Sequence, residues 1–172
     1  MADFKEFLQK HSETARLSGF QHLMQRRVRE ILLVSSPYDS YTLEEDGYLA
    51  ESLDVEYIQL KLSGAPHVTR VSTGEEALAA LGARRFDLVV TMTRLGEMDV
   101  RDFGRAVKEK HPGIPVVLLA YSSAEAARLK ETATQGPIDQ IFIWRGDIKI
   151  FLAIIKYIED RRNVDRDITL AD

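Results

Sequence analysis

The chain has 172 residues, 45% of them hydrophobic, and a formal net charge of −4, which together indicate a globular domain with a core. It contains no cysteine, so disulfides, thiolate-ligated metals and thiol catalysis are excluded. The mildly acidic balance and the absence of a DNA-binding motif disfavour nucleic-acid binding. Because no signal-peptide pattern opens the sequence and no apolar run is long enough to span a bilayer, we expect a cytoplasmic protein.

Residues 1–27 precede the first predicted strand and carry short apolar faces at helical spacing. Phe4 and Phe7 lie on one such face, and Phe20 and Leu23 lie on another. We predict an N-terminal helical extension, broken near Gly19, that packs on the domain or on a partner.

Five short apolar runs alternate with amphipathic stretches from residue 28 onward. The runs are Ile31–Val34, Val68–Ser72, Leu88–Met92, Val116–Ala120 and Gln140–Trp144. Continuous apolar runs are typical of strands that are buried on both faces, as in a parallel sheet, and the second and more polar run fits an edge. We predict an α/β fold over residues 28–163, a doubly wound five-stranded parallel sheet of flavodoxin or receiver type with strand order 2-1-3-4-5, followed by a charged tail at 164–172.

The predicted helices carry start signals. Thr42, Thr73 and Ser122 each stand three residues before a glutamate, which is the spacing of a capping box. Asp99 and Asp147 are predicted to cap two further helices.

The segment Phe-Asp-Leu-Val-Val-Thr-Met-Thr-Arg-Leu-Gly-Glu-Met-Asp at 86–99 resembles the central strand and following loop of response-regulator receiver domains. In that family the strand ends in the aspartate that accepts a phosphoryl group, and an aspartate of the turn follows seven residues later. Here Asp99 matches the turn, and Met92 stands at the acceptor position. The resemblance implies a CheY-like module of two-component signal transduction and phosphorelay.

The other site positions implied by this resemblance also depart from the family. Ser35 and Ser36 replace the acidic pair that holds magnesium, Ala120 replaces the hydroxyl residue after strand four, and the lysine position falls on Ile143 or Trp144. A methionine thioether neither accepts a phosphoryl group nor ligates magnesium well. We therefore predict a pseudo-receiver with no catalytic residue, metal or cofactor. Its degenerate phosphorylation pocket comprises Ser35, Ser36, Met92, Thr93, Ala120, Ile143 and Trp144.

A narrower resemblance involves the segments 35–40, 44–47 and 144–160. These look like a bacterial pseudo-receiver group that often precedes a phosphoenolpyruvate-synthase-like or pyruvate-phosphate-dikinase-like region. The resemblance implies a module without enzymatic activity that regulates or docks a downstream enzyme domain.

Two interpretations of the hydroxyl groups around this pocket remain open. Either they form a site for a small polar ligand or an anion, with Arg94 nearby, or they hydrogen-bond locally in a former active site. The hydroxyl residues are Ser35, Ser36, Thr91, Thr93, Ser122 and Ser123. Asp39 and the acidic residues 44–46 are interpreted as helix-start acids rather than as a cation site.

Apolar residues occupy more than one face of the last predicted helix. Because Phe151, Leu152, Ile155 and Ile158 suffice for the core, the other apolar residues require a cover. That cover is either the N-terminal segment or a second subunit in a homodimer or partner complex. The predicted interface, which assumes an exposed Trp144, comprises Trp144, Arg145, Ile150, Ile154 and Tyr157.

Overall fold

The computed structural model describes residues 27–39, 49–60, 62, 64–133 and 136–169. The elements are β1 Glu30–Val34, α1 Leu49–Gln59, β2 His67–Val71, α2 Gly74–Ala83, β3 Leu88–Thr91, α3 Val100–Lys110, β4 Val116–Ala120, α4 Ser123–Ala133, β5 Gln140–Ile143 and α5 Lys149–Thr169. Residues 1–26 of the extension predicted for 1–27, the capping box at Thr42 and the acidic residues 44–46 lie outside the described residues.

The five strands form one parallel sheet in the order β2-β1-β3-β4-β5, which confirms the predicted topology. Every residue of β3 and β4 is buried, as expected for central strands covered on both faces. The strand predicted to lie at an edge, β2, does so, and none of its residues is fully buried.

Helices cover both faces of the sheet because successive residues of each central strand point to opposite sides. In β1, Ile31 and Leu33 join a core cluster with α1 and α5, whereas Leu32 and Val34 join a cluster with α2 and α3. Each fully buried aliphatic side chain stabilises the fold by about 1.5–3 kcal/mol through the hydrophobic effect.

The helix starts follow the predicted capping chemistry. Thr73 Oγ1 accepts from the backbone N–H of Glu76 at 3.1 Å, and the Glu76 carboxylate accepts from the preceding turn. Asp99 and Asp147 each accept a backbone N–H two residues later, at 2.8 and 2.9 Å. These bonds satisfy N–H groups that have no partner within the helix.

Two residues of the predicted interface are core residues, and the expectation that they are exposed is wrong. Ile154 is fully buried in the cluster that contains Leu53 of α1. Trp144 is 6% exposed, and its ring packs edge-on against Phe151 with centroids 6.2 Å apart. The physical reason is that α1 packs on the same face of the sheet as α5. Helix α5 is therefore buried over a larger part of its circumference than the single apolar stripe that faces the sheet.

The other members of that predicted interface lie nearer the surface. Ile150 and Tyr157 are partly buried against the same core cluster, and Arg145 is exposed. Helix α5 continues to Thr169, past the domain boundary predicted at residue 163. Within the part of the chain that the structure describes, no helix combines the length and apolarity needed to cross a membrane.

Candidate functional site

The residues that follow β1, β3 and β4 meet at the carboxyl edge of the sheet, where ligands bind in folds of this topology. Val34 pairs with Thr91, so the next residues, Ser35 and Met92, lie side by side. Met92 donates its backbone N–H to the carbonyl of Val34 at 2.9 Å. Ala120 ends β4 next to the last residue of β5. The structure thus brings the members of the predicted pocket to one edge.

Met92 is a packing residue at this edge. Its side chain is fully buried in the same core cluster as Leu119, Trp144 and Phe151, on the side of the sheet covered by α1 and α5. The Thr91 hydroxyl donates to the Met92 carbonyl oxygen at 2.9 Å and is also buried. At the end of β3 position 92 therefore presents a thioether inside an apolar core and no carboxylate.

A buried carboxyl group from a different position reaches across the edge. Asp39 is one of the helical residues 37–39 that follow β1, and it is fully buried. Its Oδ2 accepts from the Ser36 hydroxyl at 2.7 Å, and its Oδ1 accepts from the Tyr121 hydroxyl at 2.6 Å. Asp39 also donates its backbone N–H to the Ser36 hydroxyl oxygen at 3.2 Å. The loop after β1 is thereby tied to the residue that follows β4.

Glu125 ties the loop after β3 to the start of α4. Its Oε2 accepts from the backbone N–H of Tyr121 at 2.7 Å, and its Oε1 accepts from the Thr93 hydroxyl at 2.9 Å. Its own N–H donates to the Ser122 hydroxyl oxygen at 3.1 Å, which is the hydroxyl half of the predicted capping box, while its carboxylate binds the N–H of Tyr121, one residue before the cap. One glutamate therefore caps a helix and holds a neighbouring loop.

These contacts form one connected set, which we call the edge network: Ser36, Asp39, Thr93, Tyr121 and Glu125. Each carboxyl oxygen in it accepts at least one hydrogen bond from within the protein. Among the described residues, no three His, Cys, Asp or Glu side chains are grouped so as to hold a metal ion. The magnesium site of a receiver needs free carboxylate oxygens at this place, and the residues present do not fit it.

Four of the six hydroxyl groups predicted at this edge form hydrogen bonds within the protein. Thr91 donates to a carbonyl, Thr93 and Ser36 donate to carboxyl groups, and Ser122 accepts from a backbone N–H. These contacts favour local hydrogen bonding over a ligand site. Outside the network, the Arg94 guanidinium lies 5.4 Å from the ring centre of the exposed Tyr38, which joins the loops after β1 and β3 by a cation–π contact.

The sequence reasoning missed Tyr121, and it interpreted Asp39 as a helix-start acid without anticipating the contact between the two. Glu125 carried a signal, because its spacing from Ser122 predicts a cap. Tyr121 and Asp39 lie 82 positions apart in the sequence, and no local sequence pattern predicts a contact between residues so far apart.

Solved receiver domains share this fold. The signal receiver domain of an HD domain-containing protein from Pseudomonas fluorescens aligns with a TM-score of 0.60 and 20% identity, over 82% of this chain and 93% of that one. The receiver domain of a sensor histidine kinase from Pseudomonas aeruginosa, with a magnesium ion coordinated in its active-site cleft, aligns with a TM-score of 0.58 and 20% identity, over 77% of this chain and 98% of that one.

A third similar structure belongs to a family of redox sensors in the streptococci that evolved from two-component response regulators. It aligns with a TM-score of 0.59 and 19% identity, over 81% of this chain and 54% of that one. Identities in this range establish the fold, and the fold of this chain is that of response-regulator receiver domains.

A comparison with curated proteins gives a shorter match. A stretch of 58 residues is 40% identical to the regulatory protein LuxO of Vibrio cholerae, over 33% of this chain and 13% of LuxO. The chain therefore spans a small part of that relative's length. No protein-family model matches the sequence.

Proposed function

We propose that this chain is a regulatory module of signal transduction that has the receiver fold and acts through protein contacts, without accepting a phosphoryl group on aspartate. The observation that carries the proposal is the buried Met92 thioether at the end of β3, where receiver domains carry the acceptor. This module has no catalysis of its own and is expected in the cytoplasm.

The edge network supports the same proposal. For Asp39 or Glu125 to take over a magnesium site, the bonds to Tyr121 and Thr93 would have to break. Each hydrogen bond to a charged group contributes about 1.5–3 kcal/mol of stability. Binding of magnesium by these carboxyl groups would be opposed by the loss of several such contributions. A phosphoryl group also needs positioned positive charge, and where receivers place a lysine this chain has Ile143, which ends β5, and Trp144, which follows it.

The contact surface that we propose lies along β5 and α5. The rings of Phe142 and Tyr157 pack edge to face with centroids 5.9 Å apart, and the Arg161 guanidinium lies 5.7 Å from the Tyr157 ring centre. The proposed surface also includes the partly buried Ile150 and the exposed Arg145. Partly exposed Tyr and Arg side chains held rigidly are typical anchors of protein interfaces.

The partner proposed for this surface is a second copy of the chain or a downstream enzyme domain. The narrower resemblance favours an enzyme of the phosphoenolpyruvate-synthase kind. The description of the streptococcal structure, redox sensors evolved from response regulators, gives a precedent for a receiver fold adapted to an input other than phosphorylation.

Amide NMR spectra of the ¹⁵N-labelled chain, recorded with and without magnesium and beryllofluoride, test this function. Beryllofluoride mimics an aspartyl phosphate, so a receiver with an intact acceptor shifts its edge resonances. We expect unchanged resonances for Met92, Thr93 and Tyr121. Saturable shifts at these residues would refute the proposal.

A further inference from the structure

Helix α1 leaves apolar side chains in solvent on its outer face. Leu49, Leu53 and Tyr57 recur at a four-residue spacing and are buried, but Val55 is 50% exposed and Ile58 is 74% exposed. These two lie three residues apart, so they are neighbours on the helix surface. The charged residues of α1 are all acidic: Glu51, Asp54 and Glu56. The outer face of α1 therefore has two exposed apolar residues, and the charged residues around them are acidic.

The chain enters the domain next to the last turn of this helix. Val28 is buried in the same cluster as Tyr57, and its N–H donates to Glu159 Oε1 of α5 at 2.9 Å. Burial raises the pKa of both Tyr57 and Glu159, and the positive charge of Arg27 lowers both, which places Arg27 close to each of them. The residues before Arg27 thus begin beside the turn that exposes Ile58.

The segment that leads into this point complements α1 in composition. Residues 14–27 contain Arg16, Arg26 and Arg27 and no acidic residue, and their larger apolar side chains include Phe20, Leu23 and Met24. A basic segment with apolar anchors matches an acidic helix face with exposed apolar residues in both charge and hydrophobicity.

We propose that residues 14–27 dock as an intramolecular strap on the outer face of α1, with Phe20, Leu23 and Met24 over Val55 and Ile58. Met24 precedes Arg27 by three residues, a reach of about 10 Å for an extended chain. Val55 and Ile58 are separated by a rise of about 4.5 Å along α1. The segment between Met24 and Arg27 is therefore longer than the spacing of the two residues that it would cover. The sequence alone suggested α5 as the surface for this segment, but the apolar residue Ile154 of α5 is already buried in the core.

Disulfide trapping in the full-length chain tests this strap, and the absence of native cysteine makes the assay clean. The test variant carries Met24→Cys with Ile58→Cys. The matched control carries Met24→Cys with Ala79→Cys, because Ala79 is exposed on α2, on the opposite face of the sheet. We expect the internal disulfide of the test variant to form about tenfold faster than that of the control, since docking raises the local concentration of the two thiols.

Two further measurements distinguish docking of the strap on α1 from coverage of the same face by another partner. Adding Asp54→Lys to the test variant removes an acidic neighbour and is expected to slow disulfide formation. A disulfide-linked dimer that forms equally well from Ile58→Cys alone would assign the face to a second copy and overturn the proposal. Equal rates of disulfide formation in the test variant with Ile58→Cys and in the control with Ala79→Cys would also overturn the proposal.

Discussion

The hydroxyl group of Tyr121 lies 2.6 Å from Oδ1 of the buried Asp39 and joins two loops that are 82 positions apart in the sequence. The backbone N–H of Tyr121 is bound by Glu125, which also holds Thr93. The loops after β1, β3 and β4 are therefore linked through one tyrosine. Moving any of them breaks a hydrogen bond to a carboxyl group, so we expect this edge to be rigid.

Replacing Tyr121 with phenylalanine tests the link directly. The substitution leaves the buried Asp39 without one of its donors, and we expect the free energy of unfolding to fall by about 1–3 kcal/mol in urea titrations. The matched control is Tyr38→Phe, because the Tyr38 side chain is 67% exposed and the substitution keeps its ring beside Arg94. Equal stabilities of the two variants would show that the bond from Tyr121 contributes nothing.

Restoring an aspartate at position 92 is expected to damage the fold without creating a switch. Met92→Asp places a carboxylate among apolar side chains of the core, and we expect a loss of about 3 kcal/mol or more. Met92→Leu conserves volume and is expected to cost less than about 1.5 kcal/mol. A stable Met92→Asp variant that binds beryllofluoride would contradict the account of this edge.

The stability of the protein should depend on the ionisation of Glu159. Burial raises its pKa above the ordinary value of 4.5, although the N–H of Val28 and the charges of Arg27, Lys156 and Arg162 lower it. Between the unfolded and the folded pKa the native state binds more protons, so the free energy of unfolding falls as pH rises through this window. Glu159→Gln retains an acceptor for Val28 and should remove that part of the slope. Parallel pH profiles of the two proteins would contradict the prediction.

The surface along β5 and α5 is tested with Arg161→Ala. Arg161 is exposed and contacts Tyr157, so its truncation should weaken self-association by about tenfold in sedimentation velocity while leaving the fold intact. Arg105→Ala on α3 is the control, since Arg105 forms an exposed ion pair with Asp102 and α3 covers the other face of the sheet. A wild-type chain that stays monomeric at high concentration would rule out the second copy as the partner.

The sheet was predictable because its signals are local. The buried runs of β1, β3 and β4 are apolar without alternation, since helices cover both of their faces, and the caps at Thr73 and Asp99 follow from short-range spacing. These patterns together with the handedness of parallel crossovers leave few topologies.

The packing between elements was not predictable from such signals. Trp144 and Ile154 were predicted to be exposed, but Trp144 packs against Phe151 and both residues lie in the core cluster that also contains residues of α1. The edge network likewise depends on Asp39 meeting Tyr121, which is a long-range contact. The resemblance to receiver domains located this edge and the departure at Met92, but it gave no indication of which residues hold the edge together.

The most direct test of the central claim is the intact mass of the chain after incubation with acetyl phosphate and magnesium, quenched in acid. With Met92 buried at the end of β3 and both carboxyl groups of the edge network bound internally, we expect the unmodified mass and an unchanged Tm. A phosphoryl adduct that hydroxylamine removes, mapped to Asp39 or Glu125, would contradict the account and make this chain a phosphorylation switch.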